Sequence, residues 1–127
     1  MNPNHLHMNK TVLIVDDSDF VVQMIRFTLE QEGYNTLAGI DGQDALKHFD
    51  GQHIDLVITD LNMPKLDGLG LINSIRLHAA YQHIPIVLFD SNNTHDADYL
   101  KRSGATALLS KDAVGDQLVS TVKKMIG

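Results

Sequence analysis

The amino-acid sequence predicts an α/β fold, a doubly wound parallel sheet of five strands with helices on both faces. Short runs of apolar, β-prone residues alternate five times with amphipathic helical patterns. The connections between them are only a few residues long, which suits parallel strands joined by crossover helices. Right-handed crossovers place the carboxyl ends of all five strands, and the loops that follow them, on one rim of the sheet.

The first half of the chain supplies three of these strands, predicted at residues 11–15, 34–38 and 54–59. The third is a nearly continuous apolar run, the pattern of a strand buried on both faces. A helix from about Asp19 to Gln31 follows the first strand, with Ser18 or Asp19 as its cap and Gly33 to end it. Apolar and small residues recur in this helix at helical spacing: Phe20, Val21, Met24, Ile25, Thr28 and Leu29. A short amphipathic helix after the second strand holds Ala45, Leu46 and Phe49.

The second half supplies two strands and three helices. An apolar pattern from Leu66 through Leu77 predicts a helix that runs to about Ala80, and Pro85 opens a fourth strand through Phe89. The next helix, from residue 94 or 95 to residue 103, is the least apolar, which indicates an exposed face. Residues 105–109 are predicted to form the fifth strand. The last helix is lined by Leu118, Val119, Val122, Met125 and Ile126.

Bulk composition excludes several classes of protein. The chain has 127 residues, enough for one domain with a real core, and we expect that domain to span residues 10–127. A formal charge of −6 argues against nonspecific binding to nucleic acid or anionic membrane. The absence of cysteine excludes disulfides and thiolate metal sites and fits a cytoplasmic protein. No apolar run is long enough to span a bilayer, and no signal peptide is evident.

The first nine residues are polar and aperiodic, and we expect a disordered tail or a remnant of an alternative start there. His5 and His7 lie in this segment. They offer two metal ligands at most, so a metal site in the tail is disfavoured.

Charged residues follow four of the five predicted strands. Asp16 and Asp17 follow the first strand, Asp60 the third, Asp90 the fourth and Lys111 the fifth. Taken singly, Asp60 could merely open a turn and Lys111 could simply be solvated. Clustered carboxylates, however, repel one another unless they are protonated or bind a cation. Hard oxygen ligands without cysteine point to Mg²⁺, and an aspartate can also attack phosphorus as a nucleophile.

From Lys10 to Ile126 the sequence resembles response-regulator receiver domains, close to the CheY-like chemotaxis type. The matching stretches are V-D-D-S at Asp16, T-D-L-N-M-P-K-L-D-G-L around Asp60, I-P-I-V-L in the fourth strand and G-A-T-A-L-L-S-K ending at Lys111. The resemblance implies a flavodoxin-like strand order of 2-1-3-4-5. It also implies two-component signalling, with Asp60 accepting a phosphoryl group from a sensor histidine kinase or phosphotransfer protein.

The same resemblance assigns roles around Asp60. Asp17 would bind Mg²⁺ directly, Asp16 largely through water, and Asn62 through its backbone carbonyl, with Asp60 completing the site. Lys111 would contact the phosphoryl group, while Pro64 and Gly68 would shape the loop. The signalling surface would be the face of the fourth and fifth strands and helices, roughly residues 90–119. That face would contact a downstream protein of unknown identity and could support a weak dimer of an otherwise monomeric chain.

The sequence departs from the family pattern at three positions. Asp90 stands where the family has Thr or Ser, and a carboxylate has no proton to donate near neutral pH and repels phosphoryl oxygens. Ser91 could substitute only if the strand end shifts by one residue. Leu108 replaces the usual aromatic switch residue. Asp112 replaces the proline that usually follows the lysine, so we expect a trans peptide there.

These departures suggest two interpretations of Asp90. It could pair with Lys111 or draw a cation toward the pocket in the unphosphorylated protein, or it could point to solvent and cap the following helix. The chain could likewise be a degenerate receiver that binds a protein independently of phosphate. A phosphohydrolase of the haloacid-dehalogenase type is disfavoured, because Leu61 and Asn62 follow Asp60 where that class has D-x-D. We expect a signalling domain rather than an enzyme, with at most self-phosphorylation and self-dephosphorylation activity.

Overall fold

A computed structural model of the chain describes residues 10–63, 65–90 and 97–127. These residues contain one parallel sheet of five strands in the order β2-β1-β3-β4-β5. The strands are β1 Thr11–Val15, β2 Asn35–Gly39, β3 Leu56–Asp60, β4 Ile86–Asp90 and β5 Ala107–Ser110. The predicted fold class and strand order are therefore confirmed.

Within the described ranges, five α-helices connect and cover the strands: α1 Asp19–Gln31, α2 Gly42–Leu46, α3 Gly68–Leu77, α4 Ala97–Ser103 and α5 Val114–Ile126. Single turns of 3₁₀-helix span Ala79–Tyr81 and Lys111–Ala113. Across the described residues, we find no helix with the length and apolarity that a membrane crossing requires.

Alternate residues of each strand enter two separate cores, because successive side chains of a strand point to opposite faces. Ile14 of β1 packs with the α1 and α5 residues Ile25 and Leu118 on one face of the sheet. Leu13 packs with Leu71 of α3 on the other face. Both faces are thus covered by helices, which explains the nearly continuous apolar pattern of β3.

The helix boundaries follow local capping chemistry. The Ser18 hydroxyl accepts a hydrogen bond from Val21 N at 3.4 Å and caps α1. Asp41 and Asp67 cap α2 and α3 in the same way, each accepting at 2.8 Å from the backbone N–H three residues on. Gly33, with a φ of 94°, follows α1 in the left-handed conformation that glycine favours.

Several predicted boundaries were wrong by a few residues. Strand β3 begins at Leu56 rather than residue 54, β5 spans Ala107–Ser110 rather than residues 105–109, and α2 ends at Leu46 before Phe49. Helix α3 ends at Leu77, and the residues to Tyr81 form a 3₁₀ turn instead. Apolar character alone cannot locate these ends, since it reports burial rather than backbone hydrogen bonding.

The apolar pattern of α1 overstated its buried face. Val22, Ile25 and Leu29 are the buried residues of this helix. Phe20 and Phe27 are 77% and 67% exposed, and Met24 is also exposed. Residues 20, 24 and 27 are spaced by one helical turn, so they form one outward stripe, called here the α1 stripe.

Some expectations lie outside the described residues. These are the tail of residues 1–9 with His5 and His7, the loop role of Pro64, the substitution by Ser91, and the start of α4 at residue 94 or 95.

Candidate functional site

The ends of two neighbouring strands, β1 and β3, bring the acidic residues to one rim. Asp16 directly follows β1, where its backbone N–H donates to Gly39 O at 3.1 Å and ties it to the end of β2. Its Oδ1 accepts a hydrogen bond from Ser18 N at 2.9 Å, which orients the carboxylate at the start of α1. Asp60 is the last residue of β3. Because β1 and β3 are parallel neighbours, their terminal carboxylates meet at the same edge.

The acidic cluster, which consists of Asp16, Asp17 and Asp60, is compact. One carboxylate oxygen from each residue lies within 4.8 Å of the other two. Asp16 and Asp60 are buried, at 1% and 5% exposure, whereas Asp17 is exposed. Lys111 Nζ lies 3.2 Å from Asp16 Oδ2 and 3.3 Å from Asp60 Oδ2. The sequence therefore predicted correctly that these four residues converge.

The donor set suits a hard divalent cation. Three carboxylates that share so small a volume repel one another, and one ammonium group offsets only part of their charge. Asp16 Oδ2 is fully buried and accepts no well-oriented hydrogen bond, although Lys111 lies within ion-pairing distance. A buried carboxylate oxygen without such a bond is costly, and an oxygen-seeking ion such as Mg²⁺ would satisfy it.

The electrostatics of the site follow from burial and like charge. Burial raises the pKa of Asp60 and the negative charge of Asp16 raises it further, while Lys111 acts in the opposite direction. Burial alone would lower the pKa of Lys111, but its contacts with Asp16 and Asp60 outweigh that effect and raise it. Lys111 is therefore held in its charged form beside Asp60.

The raised pKa of Asp60 makes the folded state sensitive to pH. At pH values between the pKa of Asp60 in the unfolded chain and its higher pKa in the folded chain, the folded chain binds more protons than the unfolded chain. The free energy of unfolding therefore falls as the pH rises through that range. In EDTA at pH 7.5 we expect Asp60→Asn to raise the free energy of unfolding. Burial of the Asp60 carboxylate and repulsion by Asp16 together outweigh the favourable contact with Lys111, so removal of this charge should leave a net gain on the order of 1 kcal/mol. Urea unfolding at pH 7.5 and pH 5 measures this gain. A gain that does not shrink at the lower pH would contradict the electrostatic explanation.

Backbone contacts fix the loop that follows Asp60. Leu61 N donates to Phe89 O at 3.1 Å, and Gly68 N donates back to Leu61 O at 3.0 Å. A Cβ at Gly68 would lie 2.4 Å from the Asp60 carbonyl oxygen, so only glycine permits this approach. Lys65 in the same loop has a φ of 64°, uncommon for a residue with a side chain. The start of α3 is thus pressed against the end of β3.

Asp90 lies at the end of β4 and is not part of the acidic cluster. It is buried, at 3% exposure, so the interpretation that it points to solvent is wrong. The ammonium of Lys111 ion-pairs with Asp16 and Asp60, and the pairing of Asp90 with Lys111 stays a prediction. Asp90 instead affects Tyr99 of α4: burial raises the pKa of Tyr99, and the charges of Asp90 and Asp67 raise it further.

Tyr99 is a residue that sequence reasoning missed. It is the one aromatic residue of α4 and packs against the same core as Leu108. An aromatic residue in the least apolar helix was the available signal.

The structure also locates two other features that the sequence predicted, the residue Asn62 and the peptide bond after Lys111. Asn62 is exposed and lies two residues after Asp60. A hydrogen bond from the Asn62 backbone to the Asp60 carboxylate acts to lower the pKa of Asp60. No cis peptide occurs among the described residues, so the bond between Lys111 and Asp112 is trans as expected.

Comparison with known proteins gives a consistent result. The family model described as the response regulator receiver domain matches residues 12–123. The CAI-1 autoinducer sensor kinase/phosphatase CqsS of Vibrio cholerae is 33% identical over 129 residues, which cover 96% of this chain and 19% of CqsS. The chain thus spans about a fifth of that relative's length.

Solved structures agree with this match. Chemotaxis response regulator CheY4 of Vibrio cholerae superposes with a TM-score of 0.84 at 30% identity, covering 91% of this chain and 98% of CheY4. The response regulator TrrA of Thermotoga maritima, in complex with Mg²⁺ and BeF, superposes with a TM-score of 0.79 at 31% identity over 91% of this chain and 98% of TrrA.

A doubly wound parallel sheet with three carboxylates and a lysine at its carboxyl rim defines a signalling domain of the two-component type. The chain belongs to the response-regulator receiver domain family.

Proposed function

We propose that this receiver domain accepts a phosphoryl group on Asp60 from a phosphohistidine of a sensor histidine kinase or phosphotransfer protein, with Mg²⁺ bound by the acidic cluster. One observation carries the proposal: Asp60 Oδ2 lies 3.3 Å from Lys111 Nζ inside a cluster of three carboxylates. This arrangement pairs a nucleophilic oxygen with a fixed positive charge and a cation-binding donor set.

Each residue has a distinct part in the transfer. A carboxylate oxygen of Asp60 forms the new bond to phosphorus as the bond from phosphorus to the imidazole nitrogen breaks, and the imidazole keeps that electron pair. The Lys111 ammonium, which already contacts Asp60, neutralises charge on the transferring phosphoryl oxygens. Asp16 and Asp17, with the backbone carbonyl of Asn62, would hold Mg²⁺. The bound ion supplies further neutralisation of that charge.

The proposal is tested with the purified chain and a small phosphodonor. Incubation with acetyl phosphate and Mg²⁺, followed by intact mass spectrometry, should add the mass of one phosphoryl group. Beryllofluoride with Mg²⁺ should bind at the same site. A chain that gains no mass and binds no beryllofluoride would support a receiver that acts as a protein-binding module without phosphate. The intact acidic cluster and Lys111 argue against that alternative.

Asp90 should slow phosphoryl uptake, because a buried carboxylate near the rim repels the incoming anion. We expect Asp90→Thr to increase the initial rate of uptake from acetyl phosphate several-fold, since threonine removes the charge and adds a donor hydroxyl. Asp98→Thr, which removes a charge from an exposed position of α4, is the matched control and should leave the rate unchanged. An unchanged or lower rate in Asp90→Thr would refute this account.

We propose that the α1 stripe of Phe20, Met24 and Phe27 receives the phosphate-donating partner. Helix α1 starts two residues after Asp17, so Phe20 in its first turn follows the acidic cluster closely along the chain, and Met24 and Phe27 continue the exposed stripe from there. Adjacent exposed aromatic residues on one helix face are typical of a protein-binding surface. The face formed by α4, β5 and α5 would then remain available to bind a downstream protein, as the family resemblance implies.

Substitution in the α1 stripe should separate protein donors from small donors. We expect Phe27→Ser to reduce phosphotransfer from a histidine kinase that phosphorylates the wild-type chain by about tenfold, the effect of losing about 1.4 kcal/mol of contact energy. Uptake from acetyl phosphate should not change. Leu77→Ser, at an exposed position of α3, is the control. Equal losses with both donors would show that the stripe has no role in docking.

A further inference from the structure

A groove between α3 and α4, with a volume of about 440 Å³, lies outside the acidic cluster. Leu69 of α3 and Tyr99 of α4 form its apolar wall, and the buried Ile72 of α3 lies beneath them. Arg76, Lys101 and Arg102 line the same groove. No acidic residue of the described ranges lines it, although the chain has 16 acidic and 10 basic residues. Three of the ten basic residues therefore surround one cavity of an acidic protein.

Arg76 is held rigidly at this groove. Its guanidinium donates to Gly104 O at 2.8 and 3.1 Å, to Ile84 O at 2.6 Å and to Gln82 O at 3.2 Å. These four hydrogen bonds join α3 to the segments that precede β4 and β5. The side chain therefore presents its charge without a further loss of conformational freedom on binding.

The basic residues of the groove form no ion pairs within the described part of the chain. Among residues 10–63, 65–90 and 97–127, no carboxylate forms an ion pair with Arg76, Lys101 or Arg102. Burial lowers the pKa of Arg76, and no anionic neighbour offsets that effect. Lys101 and Arg102 are exposed in the last turn of α4, where their side chains can change rotamer to contact a ligand.

We propose that the α3–α4 groove binds an acidic peptide segment of a partner protein, with apolar side chains against Leu69 and Tyr99 and carboxylates on Arg76, Lys101 and Arg102. This interaction goes beyond phosphoryl transfer and uses a different surface from the acidic cluster. A groove with an apolar wall and a basic edge matches a segment in which leucine-like and acidic residues alternate.

The chemistry of the groove favours a peptide over other anions. A nucleic acid or an anionic membrane would bring many negative charges against a chain of net charge −6. Asp67 and Asp90 do not line the groove, but their charges reach Tyr99 and would repel such a polyanion there. A short segment can place its carboxylates at the basic end alone and its apolar side chains along the wall.

The test uses the isotope-labelled full chain without phosphodonor and follows backbone amide NMR signals. The probe is the capped hexapeptide acetyl-Glu-Leu-Asp-Glu-Leu-Asp-amide. We expect saturable shifts centred on Leu69, Ile72 and Gly104, with a Kd below about 1 mM. Capped peptides with lysine in place of each acidic residue, or serine in place of each leucine, should bind at least tenfold more weakly.

A charge-reversed double variant provides the second arm. Lys101→Glu with Arg102→Glu should weaken peptide binding at least tenfold. Lys47→Glu with Lys124→Glu, an equal charge change at exposed positions outside the groove, should not. Equal binding by both double variants, shifts centred on another surface, or tighter binding of oligo-dT or anionic vesicles would overturn the proposal. None of these outcomes bears on Asp60, whose phosphorylation is measured separately with acetyl phosphate.

Discussion

Replacing Asp60 by Asn is expected to abolish phosphoryl uptake from acetyl phosphate. An amide is a far weaker nucleophile than a carboxylate. Asp60 is the member of the acidic cluster that ends β3, and its carboxylate contacts Lys111. The substitution preserves the volume of the side chain, so the sheet and the positions of Asp16 and Asp17 should persist. Intact mass spectrometry should show the added phosphoryl mass in the wild-type chain and none in the variant.

The matched control is Asp50→Asn, which makes the same chemical change at an exposed position after α2. It should take up phosphate as the wild-type chain does. Removal of Mg²⁺ with EDTA should suppress uptake in both the wild type and the control, because the cluster then lacks its counter-charge. Continued uptake by Asp60→Asn would place the acceptor elsewhere and would refute the assignment.

Replacing Gly68 by Ala should destabilise the chain and displace Asp60. The new Cβ would lie 2.4 Å from the Asp60 carbonyl oxygen and 2.9 Å from Leu61 Cα, and both atoms belong to the backbone and cannot rotate away. Overpacking of this kind costs roughly 3 kcal/mol. We expect Tm to fall by about 10 °C for a domain of this size. The shift of β3 relative to α3 should also lower phosphoryl uptake in the variant that remains folded at 15 °C.

Gly115→Ala is the control for this prediction. Gly115 lies at an exposed position of α5, and a Cβ added there would have no atom within 4 Å. Alanine is also the better helix former by about 1 kcal/mol. That variant should match or exceed the wild-type Tm. A Gly68→Ala chain with unchanged Tm and unchanged uptake would show that the loop adjusts without disturbing Asp60.

The acidic cluster could be predicted from sequence because parallel topology does most of the positioning. Asp16, Asp60 and Lys111 each lie at or just after the end of a strand, and right-handed crossovers bring all such positions to one rim. The sequence pattern therefore identified which residues meet, together with the fold class, and the family resemblance supplied the strand order. The pattern could not say which atoms of these residues contact one another, because a position on the rim does not determine the direction of a long side chain.

The partner of Lys111 and the surroundings of Asp90 depend on the packing of helices that are distant in sequence. Lys111 reaches Asp16 and Asp60 across the end of β3, while Asp90 is buried and affects Tyr99 of α4. The α1 stripe was hidden for a related reason. Apolar spacing identifies the faces of a helix but not which apolar residues a neighbour covers, and α5 and the sheet bury Ile25 and Leu29 while leaving Phe20 and Phe27 exposed.

The sequence by itself thus determined the layered sheet and the carboxylate-lined rim, because both follow from local periodicity and the handedness of the connections. Only the tertiary structure decided the close approach of Gly68 to Asp60 and the basic groove between α3 and α4. Both depend on contacts between segments that no local pattern encodes: backbone atoms of α3 and β3 in one case, and Arg76 bonded to the carbonyls of distant loops in the other.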